Sequence, residues 1–432
     1  MAKETVPLGQ SAGQDLHTGW EGSTVNDGSQ AWPPYTGSGY FVIQIRRTGM
    51  IVSASRRTDI PAFFSKWFVE RVKAGYFCVR NPFNPGQVKV YSLLPEDVDL
   101  IVFWTKNPQP LLPYLDLLDS LGYRYYFHFT LNDYPEILEP RVPPLSQRLD
   151  AFRKLSDRAG KERVIWRYDP IVLSSVTPSE YHLERVQNLA EHLTGYTDRL
   201  VISFLDFYGK VKRRLKRISQ ATGIEFYEPL AVGDEGKMSG GFCEDGMGAG
   251  ACGQGGTTVG ILCDRGTSAG IRDGTRTAPQ VPADRSRSAG ISGVKRAPVR
   301  APGEVLKLAE GIRNMAESCG MEVYSCAETI DLRPAGIKPG ACIDGNLIRK
   351  ISGTDRAMPK DKGQRPACRC VESVDMGAYN TCSHQCAYCY ANHSAASIEK
   401  NLGRHVPTSP LLVGTCDGQV EIIHDLKPSS LK

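Results

Sequence analysis

The chain has 432 residues, of which 41% are hydrophobic and 23% charged, with a formal net charge of +5. That excludes a chain too polar to build a core, and so small a net charge permits a phosphate-bearing substrate without demanding a nucleic acid. The sequence has no run of 18 apolar residues and no basic segment leading into an apolar one near its start, so neither a membrane span nor a secretory leader is expected, and the chain reads as cytoplasmic.

Residues 1–49 are rich in Gly, Ser, Thr and Pro and show no clear periodicity before Tyr40–Ile45. They read as a disordered or spurious extension. Met50 is then either the true initiator or an internal residue behind a genuine N-terminal segment. From residue 50 to about 231, short β-rich runs alternate with amphipathic helical patterns. Strands are expected at Ile51–Ser55, Leu100–Trp104, Tyr125–Leu131, Val164–Tyr168 and Leu200–Leu205. Between them lie "FFSKWFVERVKAG", "LLPYLDLLDSLG", "LSQRLDAFRKLSDRAG" and "SEYHLERVQNLAEHLTG", each closing on the glycine that a helix end favours.

Residues 232–302 hold 16 of the 43 glycines and a single aromatic, Phe242, and they contain two near-copies, "TSAGIRDGTRTAP" and "RSAGISGVKRAP". Such a stretch cannot bury enough apolar surface to offset its ordering entropy, so a low-complexity insertion is expected. The alternation resumes over 303–330 with a helix at "EVLKLAEGIRNMAESCG" and a strand at "MEVYSCAE", which brings the total to six strands. Repeated strand–helix alternation predicts a parallel sheet, closed as a barrel or open.

Residues 331–432 are loop-rich, and thirteen cysteines cannot form a fully paired disulfide framework. In a reducing compartment, thiols in this number favour metal binding or catalysis. Cys382, Cys386 and Cys389 fall in "YNTCSHQCAYCYAN" with the spacing CxxxCxxC. Three thiolates on one short loop can reach three irons of a [4Fe–4S] cube and leave the fourth iron open. Cys326, Cys342, Cys368 and Cys370 make a set of four, enough for a second [4Fe–4S] cluster or a zinc ion, although some of them could be free thiols. Cys78 and Cys319 read as structural, and Cys243, Cys252 and Cys263 as incidental to the insertion. Cys416 reads as exposed, with a role as hydrogen donor open to it.

The three-cysteine stretch resembles the signature of radical S-adenosylmethionine (SAM) enzymes, most of all the form in spore photoproduct lyase and its relatives. Residues 50–230 and 303–405 together resemble the family called domain of unknown function 1848. The pieces that carry this are "SASRRTDIPA", "NPFNP", "FWTKNP", "RYDPI", "YSCAE", "CID", "KDKGQRPACRC" and the cysteine stretch itself.

The radical SAM resemblance implies that the amino and carboxylate end of SAM fills the open iron corner. It also implies that a 5′-deoxyadenosyl radical then abstracts hydrogen from a substrate, with electrons from a donor such as ferredoxin or flavodoxin. Tyr388, Tyr390 and Asn392 would lie near SAM. The usual order differs, because in that family the cysteine loop follows the first barrel strand. Here the strands precede the loop and too little chain follows it to build a barrel. The expected fold is therefore α/β, a partial TIM-like parallel βα barrel of six to seven strands that is circularly permuted. "RCVESVDMG" would be the strand feeding the loop, "ANHSAASIEKNLG" the helix after it, and the strand at Ile51 the next one round.

Polar residues gather where the strands end, the face on which barrel enzymes work. They are Ser55, Arg56, Arg57 and Asp59; Thr105, Lys106 and Asn107; His128, Thr130 and Asn132; Arg167 and Asp169; Ser203 and Asp206; and Glu328. Arg57, Asp59, Lys106, His128, Asn132, Arg167 and Asp169 are the candidate catalytic residues. An arginine there suits a carboxylate or phosphate, whereas His128 could be an acid–base group or a hydrogen-bonded structural one. "NPFNP" reads as a turn near the mouth. Other functions stay open: a structural or electron-transferring metal protein, a barrel hydrolase or lyase with metal only as a staple, and a DNA-lesion lyase. The last is not favoured, because no basic face interleaved with aromatics is evident.

Overall fold

The computed structural model describes residues 49–81, 84, 87–229, 302–415 and 421–422. The expected N-terminal extension and the body of the Gly-rich insertion, with Cys243, Cys252, Cys263 and Cys416, lie outside the described residues. Strand β1 (Met50–Ala54) leads through the short helix α1 (Ile60–Phe63) into α2 (Ser65–Ala74). Asp59 starts α1 by accepting a hydrogen bond from Ala62 N at 2.9 Å, and Gly75 ends α2 in the left-handed conformation. An antiparallel hairpin of β2 (Tyr76–Arg80) and β3 (Gln87–Ser92) follows. The stretch "NPFNP", expected near the mouth, joins these two strands, which lie outside the main sheet.

The alternation then runs through β4 (Val98–Thr105), α3 (Leu115–Ser120), β5 (Tyr125–Thr130), α4 (Leu145–Ala159), β6 (Val164–Ile171), β7 (Leu173–Ser174), α5 (Ser179–Leu193) and β8 (Arg199–Phe204). After α6 (Gly209–Thr222) and β9 (Phe226–Tyr227) come α7 (Pro302–Ser318), β10 (Glu322–Cys326), β11 (Lys338–Gly340), α8 (Gly345–Ser352), β12 (Val374–Asp375) and α9 (Ala395–Leu402). The six expected strands and the helices between them are all present. The hairpin, α6, β11 and α8 were not anticipated.

Eight strands form one parallel sheet in the order β11-β10-β8-β6-β5-β4-β1-β12. β12 lies beside β1, with Val52 opposite Val374 and Ser53 opposite Asp375. This is the place expected for the strand that feeds the cysteine loop. Among the described residues no pairing joins β11 to β12, so the expected partial barrel of six to seven strands is an eight-stranded parallel sheet with two edges.

The two faces of the sheet are covered differently, because side chains alternate along each strand. Val52, Ile101, Phe103, Phe127, Phe129, Trp166, Leu200 and Ile202 face one way and pack with apolar residues of α2, α3, α4, α5 and α7. Each such side chain, fully buried, contributes about 1.5–3 kcal/mol. Ile51, Leu100, Val102, Tyr126, Ile165 and Val201 face the other way, against Cys342, Ile343, Leu347, Ile348, Cys368, Cys370 and Val371. One face is thus sealed by helices and the other by the cysteine-bearing segment. No helix among the described residues is long and apolar enough to cross a membrane.

Candidate metal centre

Asp375, the second residue of β12, latches that strand to β1. Its Oδ1 accepts from Ser55 Oγ at 2.6 Å and Gly377 N at 2.9 Å, while Oδ2 accepts from Ser53 Oγ at 3.0 Å and Arg56 N at 2.9 Å. The Arg56 guanidinium adds its charge, with Nε 3.9 Å from Oδ2. Directly after the latch the chain must pass Ser55 at close range. A Cβ on Gly377 would lie 2.0 Å from Ser55 Oγ and 2.6 Å from Ser55 Cβ, so only glycine fits there.

The three-cysteine loop follows, held from three sides. Arg214 of α6 forks over it: Nη1 donates to the carbonyls of Cys386 (3.0 Å) and Ala387 (2.7 Å), and Nη2 to those of Cys389 (3.1 Å) and Asn392 (2.8 Å). From the β1 side, Asp59 Oδ2 lies 2.9 Å from His384 Nε2 and also accepts from Lys106 N at 2.7 Å. From below, Ala387 N donates to Leu138 O at 2.8 Å. Asn392 Nδ2 closes the loop on itself by donating to Cys382 O at 2.9 Å.

Inside this frame, burial pushes the Cys386 thiol up to about 12, with Lys106 pulling the other way. The Cys382 thiol is driven well above its ordinary value by burial, with Cys389 and Asp59 adding to the effect. Thiols so buried give up their protons readily only to something that takes the proton's place, as a metal does.

A buried charge network stands beside Cys386. Lys106 Nζ is 2.8 Å from Glu139 Oε1, which also accepts from the Tyr388 hydroxyl, and Arg148 Nη1 is 3.8 Å from Oε2. Burial works against the Glu139 carboxylate, but Lys106 and Arg148 outweigh it and hold its pKa below the ordinary value. Lys106 Nζ also sits 5.6 Å from the centre of the Tyr388 ring.

The other four candidate cysteines also meet. Cys326 ends β10, Cys342 follows β11, and Cys368 and Cys370 come from the irregular run after α8. Cys326 Sγ lies 2.7 Å from Cys342 Sγ, and Cys368 and Cys370 pack into the same buried cluster as Cys342. Arg167 Nη1 donates to Cys342 Sγ at 2.7 Å and Ile343 N to Cys370 Sγ at 3.3 Å. The Cys342 carbonyl receives both Tyr126 OH and His128 Nε2 at 2.6 Å. The neighbouring Cys370 thiol pulls Cys368 down to about 7 against the effect of burial. Among the described residues no group of three or more His, Cys, Asp or Glu side chains surrounds a point where an ion would sit.

The candidate catalytic residues divide between these two centres. Lys106 reaches the three-cysteine loop through Glu139 and Tyr388, and Arg57 through a hydrogen bond to Gly377 O (3.4 Å) and its place over the Tyr379 ring. Asp59 has both carboxylate oxygens engaged, so it positions the loop. Asn132 is likewise engaged: its side chain pairs with the backbone N and O of Asp169 at 3.1 Å each. Buried Arg167 pairs with half-buried Asp169 on the side of the four-cysteine group, with Asp169 also accepting from Ser203. His128 faces that group too. Burial, with Arg167 nearby, holds its pKa well below the ordinary histidine value, so it is neutral and donates to a carbonyl. Tyr388 is buried against Glu139, Tyr390 donates to Arg56 O at 2.5 Å, and Asn392 supports the loop.

Near Cys326 a cavity of about 420 Å³ opens, lined in part by Glu328, Arg333, Lys360 and Arg369. Burial pushes Glu328 up to about 8. Sequence reasoning missed Asp375, Arg214, His384 and Glu139. Only His384, lying between two of the cysteines, carried a local signal.

A parallel α/β sheet with two groups of thiols at and behind its carboxyl edge defines the class of this protein. The chain matches the family model described as Domain of unknown function (DUF1848) over residues 51–257 and 290–391, and it belongs to that family. No curated protein and no solved structure matches it.

Proposed function

We propose that the chain is an iron–sulfur enzyme of the radical SAM type, with Cys382, Cys386 and Cys389 as ligands to three irons of a [4Fe–4S] cluster. The observation that carries this reading is the position of β12. The strand that feeds the cysteine loop takes the edge place beside β1, so the loop lies over the strand ends that hold Arg57, Asp59 and Lys106. A radical SAM barrel whose chain had been cut and rejoined would place its strands in this order along the sheet, which supports the reading.

The donor set fits the group. Three thiols with no fourth cysteine in the loop leave one iron without a protein ligand, and a cube spreads its ligands apart instead of drawing them to one point. Such a cluster, when bound, supplies the electron for reductive cleavage of SAM. The chain's own residues do the positioning. Arg214 fixes four carbonyls of the loop and brings a positive charge to an otherwise anionic centre. Lys106, anchored on Glu139, does the same from the other side, and the Tyr388 ring fills the space between and keeps water out. Arg57, half-buried at the rim, is placed to meet a carboxylate. A ferredoxin- or flavodoxin-type donor would supply electrons, and a small molecule is favoured over nucleic acid as substrate.

A second reading is a metal protein that stabilises or passes electrons without SAM chemistry. The engagement of Asp59, Asn132 and His128 in internal hydrogen bonds favours it. Anaerobic reconstitution with iron and sulfide, followed by EPR with and without SAM, separates the two. The radical reading expects a changed cluster signal on adding SAM and 5′-deoxyadenosine under reductant. An unchanged spectrum and no 5′-deoxyadenosine would leave the second reading standing.

A further inference from the structure

The geometry points to a second metal site, separate from the three-cysteine loop: one tetrahedral zinc ion held by the thiolates of Cys326, Cys342, Cys368 and Cys370. It does not depend on the radical SAM reading and would stand if that reading failed.

Four thiols from three separate stretches of chain meet on one face of the sheet, three of them buried in one cluster with its apolar side chains and Cys326 packed against it. The spacing selects the occupant. A tetrahedral ion with Zn–S bonds of about 2.3 Å places its sulfurs about 3.8 Å apart. Cys326 Sγ and Cys342 Sγ, 2.7 Å apart, have to part by about 1 Å to reach that arrangement. A [4Fe–4S] cube would have to drive them much further apart, because each thiolate binds a different corner.

The surroundings suit a dianionic tetrathiolate. Arg167 Nη1 and Ile343 N already donate to two of the sulfurs. Binding is balanced by protons: four thiols bind Zn²⁺ and release four protons to solvent. The ion would join the end of β10 to residues 341–371, the segment that seals this face with only one short helix of its own.

The test uses the full chain. After treatment with chelator and reloading with Zn²⁺ alone, the Cys382/Cys386/Cys389→Ala triple variant should retain one zinc per chain. Absorption at the zinc edge should show four sulfurs at about 2.3 Å. A Cys368/Cys370→Ser double variant should retain zinc only at the three-cysteine loop, with fewer than four sulfurs around it. The unaltered chain guards against a variant that fails to fold: its zinc, loaded in the same way, should include the same four-sulfur shell. Less than half an equivalent retained by a folded triple variant would overturn the proposal. So would a shell containing nitrogen or oxygen, or a Cys326–Cys342 disulfide in anaerobically prepared protein. A four-iron, sulfide-containing chromophore in the triple variant after reconstitution would replace the single ion with a cluster.

Discussion

Arg214 holds the cysteine loop with one planar fork whose two nitrogens each reach two carbonyls. A lysine could not do so, because a single ammonium cannot span four acceptors in a fixed plane. Arg214→Ala is expected to cost about 3 kcal/mol in urea unfolding, since hydrogen bonds to a charged donor are lost and their carbonyls left without it. Arg214→Lys should recover less than half. Both should retain less iron after anaerobic reconstitution at unchanged far-UV circular dichroism, and full iron retention would show that the fork does not hold the loop.

His182 sets a different expectation, away from both thiol groups. It is buried, takes a hydrogen bond from Tyr168 OH at Nδ1 (2.8 Å) and faces Val172 O with Nε2 at 3.1 Å, so its proton sits on Nε2. Burial lowers its pKa to about 4, below the value of about 6.5 in the unfolded chain. Between those values the unfolded state binds more protons, so this residue withdraws stability as pH falls from about 6.5 to 4, by about 3 kcal/mol in all. Unfolding free energies measured across that window should fall less steeply with acid in His182→Gln than in the unaltered chain. Equal slopes would mean that His182 is not the titrating group.

At the scale of elements, β12 has only two residues and is held mainly by the Asp375 latch and by the absence of a side chain at Gly377. Gly377→Ala is expected to cost about 1–3 kcal/mol, as overpacking does. The obstacle is Ser55, with Oγ at 2.0 Å and Cβ at 2.6 Å from the added carbon. Ser55→Ala should therefore relieve the damage in part and Ser55→Gly nearly all of it, each judged in a double-mutant cycle that subtracts the lost bond to Asp375. A cycle with no coupling would show that the strand can shift away from β1.

At the scale of the whole molecule, the two faces of the sheet divide stability from metal binding. Phe127 lies in the cluster on the helix-covered face and not in the one around the four cysteines, so Phe127→Ala is expected to cost about 3–5 kcal/mol while leaving metal content per folded chain unchanged. Unfolding curves and metal analysis of the same samples check this. A loss of metal in the folded variant would show that the faces are coupled.

Much of this architecture is legible in the chain itself. Strand and helix periods are local properties, so six strands, most of the helices and their glycine ends can be placed residue by residue. The family is carried by short contiguous pieces, and the three cysteines of the loop lie within eight positions of one another. The short strand β11 is a different matter, because three residues are too few to show an alternation, and two-residue β12 is expected only from the strand order of the family that the cysteine stretch resembles. Nor does any local window show that Ser53 and Asp375, 322 residues apart, share a hydrogen bond, or that Arg214 reaches the cysteine loop. The four cysteines between Cys326 and Cys370 could be counted but not gathered. Their meeting depends on which face of the sheet residues 341–371 cover, and that is decided by the side chains left uncovered once the helices have taken the other face.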